Sequence, residues 1–260
     1  ERHLGARTQA IVAVSQGEAQ TIRTSGVVQP ERVHVVENGI DPGPWEAAKP
    51  YRRAELGLPE AVPCVLVVGL LNSAKGQDVA IRALGRPGCE GLHLLLAGHG
   101  DDEPALRRLV AELRVADRVH FLGWRDDVPR LVATADVVCL PSRWEGLPYA
   151  VLEAMAAARP VVATRVDGAR DLVKDGETGF LCGIEAPDEL AEALVRVMEL
   201  VPSERRALGA AGRARFRAGY RVEFVEGDML GVPLADVSGH SVTDALVAAM
   251  LHQAFLTGVL

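Results

Sequence analysis

Residues 135–164 read ADVVCLPSRWEGLPYAVLEAMAAARPVVAT. Two short apolar runs, 136–141 and 160–164, flank a segment with helical character. Both runs are rich in Val, which favours strands, and they are apolar on both sides of the expected pleat. Strands of that kind, joined by a helix, are typical of a parallel sheet that is covered on both faces. We therefore predict a strand, a helix and a strand here.

The same alternation continues outward from this unit in both directions. Helix-like stretches separate the apolar runs, so the chain belongs to the α/β class, with a doubly wound, Rossmann-like parallel sheet and helices on both faces. Residues 192–220 have helical spacing and many Arg, and we predict two surface helices there. The candidate strands are 10–15, 33–36, 62–70, 92–98, 119–123, 136–141 and 160–164.

Composition narrows the class of protein. The net charge of −7 argues against nucleic-acid binding. The four Cys are widely spaced without a CxxC pair, which indicates buried, reduced thiols and a cytoplasmic location. We expect no metal site, since no Cys/His cluster is present, and we see neither a membrane-spanning run nor a signal peptide. Because the first residue is Glu, we expect a fragment or a processed product.

The segment 145–153, EGLPYAVLE, carries the strongest chemical signal. Gly146 and Pro148 mark the start of a helix, where free N–H groups and the helix dipole suit a phosphate. Glu145 lies before that helix and Glu153 within it, about 10–12 Å away at 1.5 Å of rise per residue. That separation is too long for an acid/base pair on one glycosidic bond, but it suits the two ends of a long ligand. A sugar joined to a nucleoside diphosphate fits this arrangement.

Glu153 also stands out because the helix around it, AVLEAMAAA, is otherwise nearly free of charge. A lone carboxylate in such surroundings needs a partner. The alternative is that Glu145 caps the helix and Glu153 is merely solvated.

A second signal lies in VVGLLNSAKGQD, residues 67–78. A strand ends at Gly69, and Lys75 opens the next helix after a short polar loop. Ligands of open α/β sheets bind at the carboxyl ends of strands, so Lys75 is placed to meet a diphosphate. A plain surface Lys at a helix start is an equally good interpretation of this segment alone. In 119–131, the loop before a helix capped by Asp126 or Asp127 offers backbone groups to a nucleobase, or is simply structural.

Together, these pieces resemble the C-terminal half of the retaining glycosyltransferases of family four, which have the GT-B fold. The resemblance runs from about residue 1 to residue 220. It implies that Glu145 contacts the donor sugar and is the candidate catalytic residue. It also implies that Glu153 contacts the ribose and that N–H groups near Gly146 and Leu147 meet the distal phosphate. Lys75 matches the family's diphosphate-binding Lys, and Gly69, where the preceding strand ends, is a further candidate donor-binding residue. The implied donor is a UDP- or GDP-sugar, with no cofactor.

Two departures from that family accompany the match. Leu70 stands where the family usually has Arg. The Arg side chain would donate hydrogen bonds to a phosphate, so its absence is expected to weaken the affinity for the nucleotide sugar. We also expect the N-terminal GT-B domain to be almost entirely missing from this sequence. We predict that residues 1–44 are its last elements plus a linker and that 45–220 form the donor-binding domain. Residues 221–260 form an atypical tail, part of which is similar to the acidic-loop region of class I methyltransferases.

The predicted activity is transfer of a hexose from a nucleoside diphosphate sugar to an acceptor hydroxyl with retention. A nucleotide-sugar 2-epimerase of GT-B fold and a non-catalytic nucleotide-sugar-binding module remain open as alternatives. The acceptor could be a glycan, a lipid or a small molecule. Peripheral membrane association of the full-length enzyme is a further open alternative.

Overall fold

A computed structural model describes residues 9–221 of the chain. The predictions for the tail, residues 221–260, including its methyltransferase-like segment, lie outside these residues, apart from Arg221.

The described chain forms two parallel sheets. A two-stranded sheet pairs β1 with β2, and a six-stranded sheet has the order β5-β4-β3-β6-β7-β8. The strands are β1 Ile11–Ala13, β2 Val33–Val35, β3 Cys64–Val68, β4 His93–Ala97, β5 Val119–Gly123, β6 Val137–Leu140, β7 Val161–Thr164 and β8 Phe180–Cys182.

Helices join most of these strands, as parallel pairing requires. The α-helices are α1 Gln16–Ser25, α2 Gly43–Ala47, α3 Gln77–Leu84, α4 Glu103–Glu112, α5 Val128–Thr134, α6 Tyr149–Ala156, α7 Asp167–Leu172, α8 Pro187–Glu199 and α9 Pro202–Gly219. Short 3-10 turns occupy Pro30–Arg32, Arg53–Leu56 and Ser73–Lys75.

The six-stranded sheet is buried on both faces, and alternate residues of its strands serve different cores. In β3, Val65 and Val67 face the core that contains α3, α4 and α8. Cys64 and Leu66 face the core that contains α5, α6, α7 and α9. This two-sided burial explains why the strands are apolar throughout, and it confirms the predicted α/β class with helices on both faces.

The N-terminal part, β1-α1-β2, has a small core of its own, formed by Ala13, Ala19, Val28 and Val33. It docks on α7 through polar contacts. The Gly17 N–H donates to Asp171 Oδ2 at 2.8 Å, and Thr21 Oγ1 donates to Asp167 Oδ2 at 2.8 Å. The first half of α1 therefore lies along α7.

All seven predicted strands are present, and both surface helices in 192–220 are found as the end of α8 and as α9. The prediction missed β8, and it missed α2 inside the turn-rich segment 38–45. The expected boundary between residues 44 and 45 falls within α2, and the division into domains stays a prediction. The four Cys are free and buried, as predicted.

Candidate functional site

The strand order creates a crevice between β3 and β6. The chain builds from β3 outward through β4 and β5, and then crosses to the other side of β3 to form β6, β7 and β8. The loops after β3 and β6 therefore leave the sheet in opposite directions, and ligands of doubly wound sheets bind at such a switch point. The two sequence signals, residues 67–78 and 145–153, lie in and beyond these two loops.

The loop after β3 carries Gly69 and Lys75. The aliphatic part of Lys75 passes over Gly69, so that a Cβ built on Gly69 would lie 3.5 Å from Lys75 Cδ. Asn72 caps the 3-10 turn Ser73–Lys75 by accepting a hydrogen bond from the Lys75 N–H at 3.2 Å. Lys75 is thus held at the crevice with its side chain extended across the loop.

The loop after β6 brings Glu145 to Lys75. Lys75 Nζ and Glu145 Oε1 are 2.7 Å apart, and Ser142 Oγ donates to the same oxygen at 2.8 Å. The side chains are 30% and 11% exposed respectively, so the pair is partly shielded from water. Two residues that are 70 positions apart in sequence therefore form one charged unit at the switch point.

Gly146 and Leu147 follow in a tightly packed loop. A Cβ on Gly168, in α7, would lie 2.0 Å from the Gly146 carbonyl oxygen, so the two segments are in backbone contact. Leu147 is buried, and its carbonyl accepts from Asn38 Nδ2 at 3.4 Å. Within residues 9–221, the N–H groups of Gly146 and Leu147 donate no hydrogen bond. These are two fixed donors at the start of α6.

Glu153 lies in the second turn of α6, while Glu145 lies in the loop before that helix, as predicted from the sequence. Pro148 occupies the cap position, one residue before the first helical turn. The Glu153 carboxylate makes no hydrogen bond or ion pair with any other described residue. Desolvation by the surrounding protein raises its pKa to about 7.

A family model described as "Glycosyl transferases group 1" matches residues 62–199, which contain both loops and α6. The chain belongs to this family. Its matched region runs from just before β3 to the end of α8, so it contains the whole six-stranded sheet and the crevice of this glycosyltransferase domain.

Curated relatives agree with that assignment. The chain is 32% identical to the lipopolysaccharide core biosynthesis glycosyltransferase LpsE of Rhizobium meliloti over 74% of its length and 54% of the relative's. It is 34% identical to the alpha-maltose-1-phosphate synthase of Mycolicibacterium smegmatis over 83% of its length and 60% of the relative's. The chain thus spans little more than half of the curated relatives that it matches.

Solved structures support the fold. The HepE protein of Anabaena, crystallised in complex with UDP and glucose, superimposes with a TM-score of 0.76 at 26% identity. The match covers 84% of this glycosyltransferase chain and 61% of HepE. This similarity agrees with the predicted α/β fold, a parallel sheet with helices on both faces.

Exposed apolar side chains follow four strands of the glycosyltransferase domain. Leu70 is 49% exposed in the loop after β3, at the position where family four usually has Arg. Trp124, Trp144 and Ile184 are also exposed, and they follow β5, β6 and β8. All four therefore stand at the carboxyl edge of the sheet, the edge that carries Lys75 and Glu145.

The loop after β5 differs from its prediction. Asp127 precedes α5 but makes no capping hydrogen bond. Its carboxylate instead accepts from Arg125 Nε at 2.7 Å and from the Tyr51 hydroxyl. The bonds from Arg125 hold the pKa of Asp127 at about 2. The Arg130 guanidinium lies 3.7 Å from the Tyr51 ring centre, so this loop is clamped to the segment before β3.

A cleft of 380 Å³ flanks the switch point between α3 and α4, and Asn72, Ser73 and Arg143 contribute to its wall. Among residues 9–221, no group of three or more His, Cys, Asp or Glu is arranged to hold a metal ion. The same residues contain no helix with the length and apolar character needed to span a bilayer.

Sequence reasoning missed two neighbours of the charged unit, Ser142 and Arg143. Ser142 bonds Glu145, and Arg143 turns back to the 3-10 turn of Lys75. No short sequence pattern predicts either contact. Only the topology brings the loop after β6 beside the loop after β3.

Proposed function

We propose that this chain is the donor-binding half of a retaining glycosyltransferase of family four. It binds a nucleoside diphosphate sugar, UDP- or GDP-linked, and presents the hexose to an acceptor hydroxyl. The observation that carries the proposal is the convergence of Lys75 and Glu145, 2.7 Å apart, at the switch point of a group 1 glycosyltransferase domain. The UDP seen in the HepE complex supports a nucleotide-sugar ligand.

In this proposal the diphosphate lies between Lys75 and the start of α6. The ammonium group supplies a point charge, and the free N–H groups of Gly146 and Leu147 supply directed donors. Both are fixed before the reaction, and they act where negative charge grows as the sugar–phosphate bond breaks. The leaving diphosphate is thereby stabilised without a requirement for metal or cofactor.

The two carboxylates hold the ends of the donor. Glu145 contacts the sugar hydroxyls beside the diphosphate, and Glu153 accepts hydrogen bonds from the ribose. Hydroxyl donors would supply the partner that the Glu153 carboxylate lacks within residues 9–221. In family four the donor phosphate helps to deprotonate the acceptor, so no protein nucleophile is assigned.

Transfer is favoured over 2-epimerisation because the relatives described above are named as a glycosyltransferase and a synthase. The acceptor, retention, the cytoplasmic location and membrane association of the whole enzyme stay predictions from the sequence.

Isothermal titration with UDP, GDP and uridine tests the diphosphate site. Lys75→Ala is expected to weaken UDP binding by about 1.5–3 kcal/mol, because a charge-assisted contact is lost, and to leave uridine binding unchanged. Lys174→Ala, which removes an exposed Lys elsewhere on the domain, is the matched control. Equal losses for UDP and uridine would contradict a diphosphate contact.

The ribose contact has its own variant. Glu153→Ala is expected to weaken both UDP and uridine by about 1–3 kcal/mol through a lost ribose hydrogen bond. An unchanged dissociation constant of this variant for uridine would contradict the proposed ribose contact of Glu153. Retention itself is checked on the full-length enzyme, by the anomeric configuration of the product in proton NMR.

A further inference from the structure

Arg143 connects the two loops of the crevice. Its N–H donates to the Ala74 carbonyl at 2.8 Å, and its Nη1 donates to the Ser73 carbonyl at 2.7 Å. Both carbonyls belong to the 3-10 turn that ends at Lys75. Arg143 therefore binds the turn that carries Lys75 while it sits two residues before Glu145.

Two carboxylates fix the Arg143 side chain. Asp78, in the first turn of α3, accepts from Nη1 and Nη2 at 2.9 Å each, and Glu185 accepts from Nε at 2.8 Å. Partial burial raises the pKa of Asp78, but the bonds and charge of Arg143 outweigh that effect and bring it below its usual value. A two-bond Arg–carboxylate pair fixes orientation as well as distance.

Arg143 has little left to offer a ligand. A guanidinium carries five N–H donors, and four of them are used by Asp78, Glu185 and Ser73. The side chain is 21% exposed. Its contribution is therefore to the position of other groups.

We propose that Arg143, oriented by Asp78, is a positioning residue for the diphosphate site. It holds the Lys75 turn against the Glu145 loop, so that the ammonium group and the N–H groups of the α6 start face one phosphate group at the same time. This inference rests on the proposed function. It adds that the affinity for diphosphate depends on a residue that does not touch the ligand.

Titration of Arg143→Gln with UDP and with uridine tests the inference. We expect about a fivefold to twentyfold loss of UDP affinity, because a small misplacement of a fixed charge is costly, and a uridine affinity within about twofold of the original. Arg165→Gln is the matched control. Arg165 bonds Asp175 and the Leu181 carbonyl at the same edge of the sheet, away from Lys75, and its loss is expected to leave both affinities unchanged.

A double-mutant cycle separates positioning from direct contact. In a Lys75→Ala background, Arg143→Gln is expected to change UDP affinity by less than about twofold, because the group that it positions is gone. An undiminished loss in that background would show that Arg143 acts on the ligand by itself, and would overturn the inference. Unchanged UDP affinity for the single variant Arg143→Gln would also overturn it.

Asp78→Asn provides a second route if Arg143→Gln does not fold, as judged by circular dichroism. It keeps the side-chain volume and removes the orienting charge, and the same selective loss for UDP is expected. Failure of the proposed function looks different. If the unaltered chain bound no nucleotide, or if Lys75→Ala bound UDP normally, the proposed donor site would be contradicted, and this inference would be contradicted too.

Discussion

Among single residues, Glu153 carries the most unusual physical chemistry. A carboxylate in protein surroundings normally has a cation or several donors beside it, and Glu153 has neither among residues 9–221. Its pKa of about 7 means that the ionised form is populated only partly at neutral pH. A ligand with two adjacent hydroxyl groups would supply the missing donors and would favour the ionised form.

Uridine binding is therefore expected to depend on pH. If the ionised carboxylate accepts the ribose hydroxyls, affinity falls by about tenfold from pH 8 to pH 6, across the pKa of Glu153. Uridine is the suitable ligand because it has no phosphate that titrates in this range. The measurement is titration calorimetry at half-unit steps of pH.

Glu153→Gln is the control for that experiment. It keeps the shape of the side chain and removes the titration, so its uridine affinity should be flat between pH 6 and pH 8. The same pH dependence in both proteins would assign the effect to another group.

Among the elements, the turn between β3 and α3 packs against the end of β6, and this contact determines which residue fits at position 76. Gly76 has a φ of +65°, and a Cβ built there would lie 2.1 Å from the Pro141 carbonyl oxygen at the end of β6. The two crevice loops thus touch through backbone at this point. A side chain at residue 76 would have to push them apart.

Gly76→Ala is accordingly expected to lower the free energy of unfolding by about 2–4 kcal/mol and to weaken UDP binding. Chemical denaturation and calorimetry measure the two effects.

Gly26→Ala separates the two causes. Gly26 has a φ of +67°, almost the same, but no atom lies within 4 Å of its would-be Cβ. It should show only the cost of the backbone conformation, about 1 kcal/mol, with normal nucleotide binding. Equal effects of the two variants on stability and on UDP would refute the role given to the loop contact.

Elements also show where sequence patterns stop being informative. The long strands were predictable because apolar runs of four or more residues in β3, β4, β6 and β7 are buried on both faces. Strands β1 and β2 are as short as β8, but they lie within the longer runs 10–15 and 33–36. Strand β8, Phe180–Cys182, is flanked by Gly on both sides, so its apolar run is too short to distinguish from a loop. Helix α2 has five residues and begins at a Gly-Pro pair that also favours turns.

The whole molecule has cores of very different size. The six-stranded sheet is covered by two large clusters, whereas β1-α1-β2 has four buried apolar residues of its own with partly buried ones around them. It contacts the rest of the domain through Val14 and through polar bonds to α7. Little apolar area is lost when the smaller unit opens, so local opening there costs less free energy than global unfolding.

Hydrogen exchange followed by mass spectrometry should reveal this difference. Amides of residues 11–35 are expected to exchange at least tenfold faster than those of β3 and β4, because their protection is limited by local opening. Equal protection across both regions would mean that the small unit unfolds only with the whole domain.

For the whole molecule, the sequence predicted the edge of the sheet at which the candidate site lies, but not the contacts between the residues of that site. Lys75 and Glu145 each follow an apolar strand, and the strand-end rule places both at one edge of the sheet. Their ion pair, and the bond from Arg143 to Ser73, 70 positions earlier, depend on β6 lying next to β3. That neighbourhood is a property of the folded topology, and no short stretch of sequence contains it.

The Lys75–Glu145 pair has a consequence for the catalytic cycle. The ammonium group has a counter-ion 2.7 Å away within the protein itself. Under the proposed function, an incoming diphosphate must share that cation, and once the sugar has left, the same carboxylate competes with the spent nucleotide for it. Under that function, the pair lowers the affinity for the incoming nucleotide sugar, and it also speeds release of the nucleoside diphosphate, which limits product inhibition.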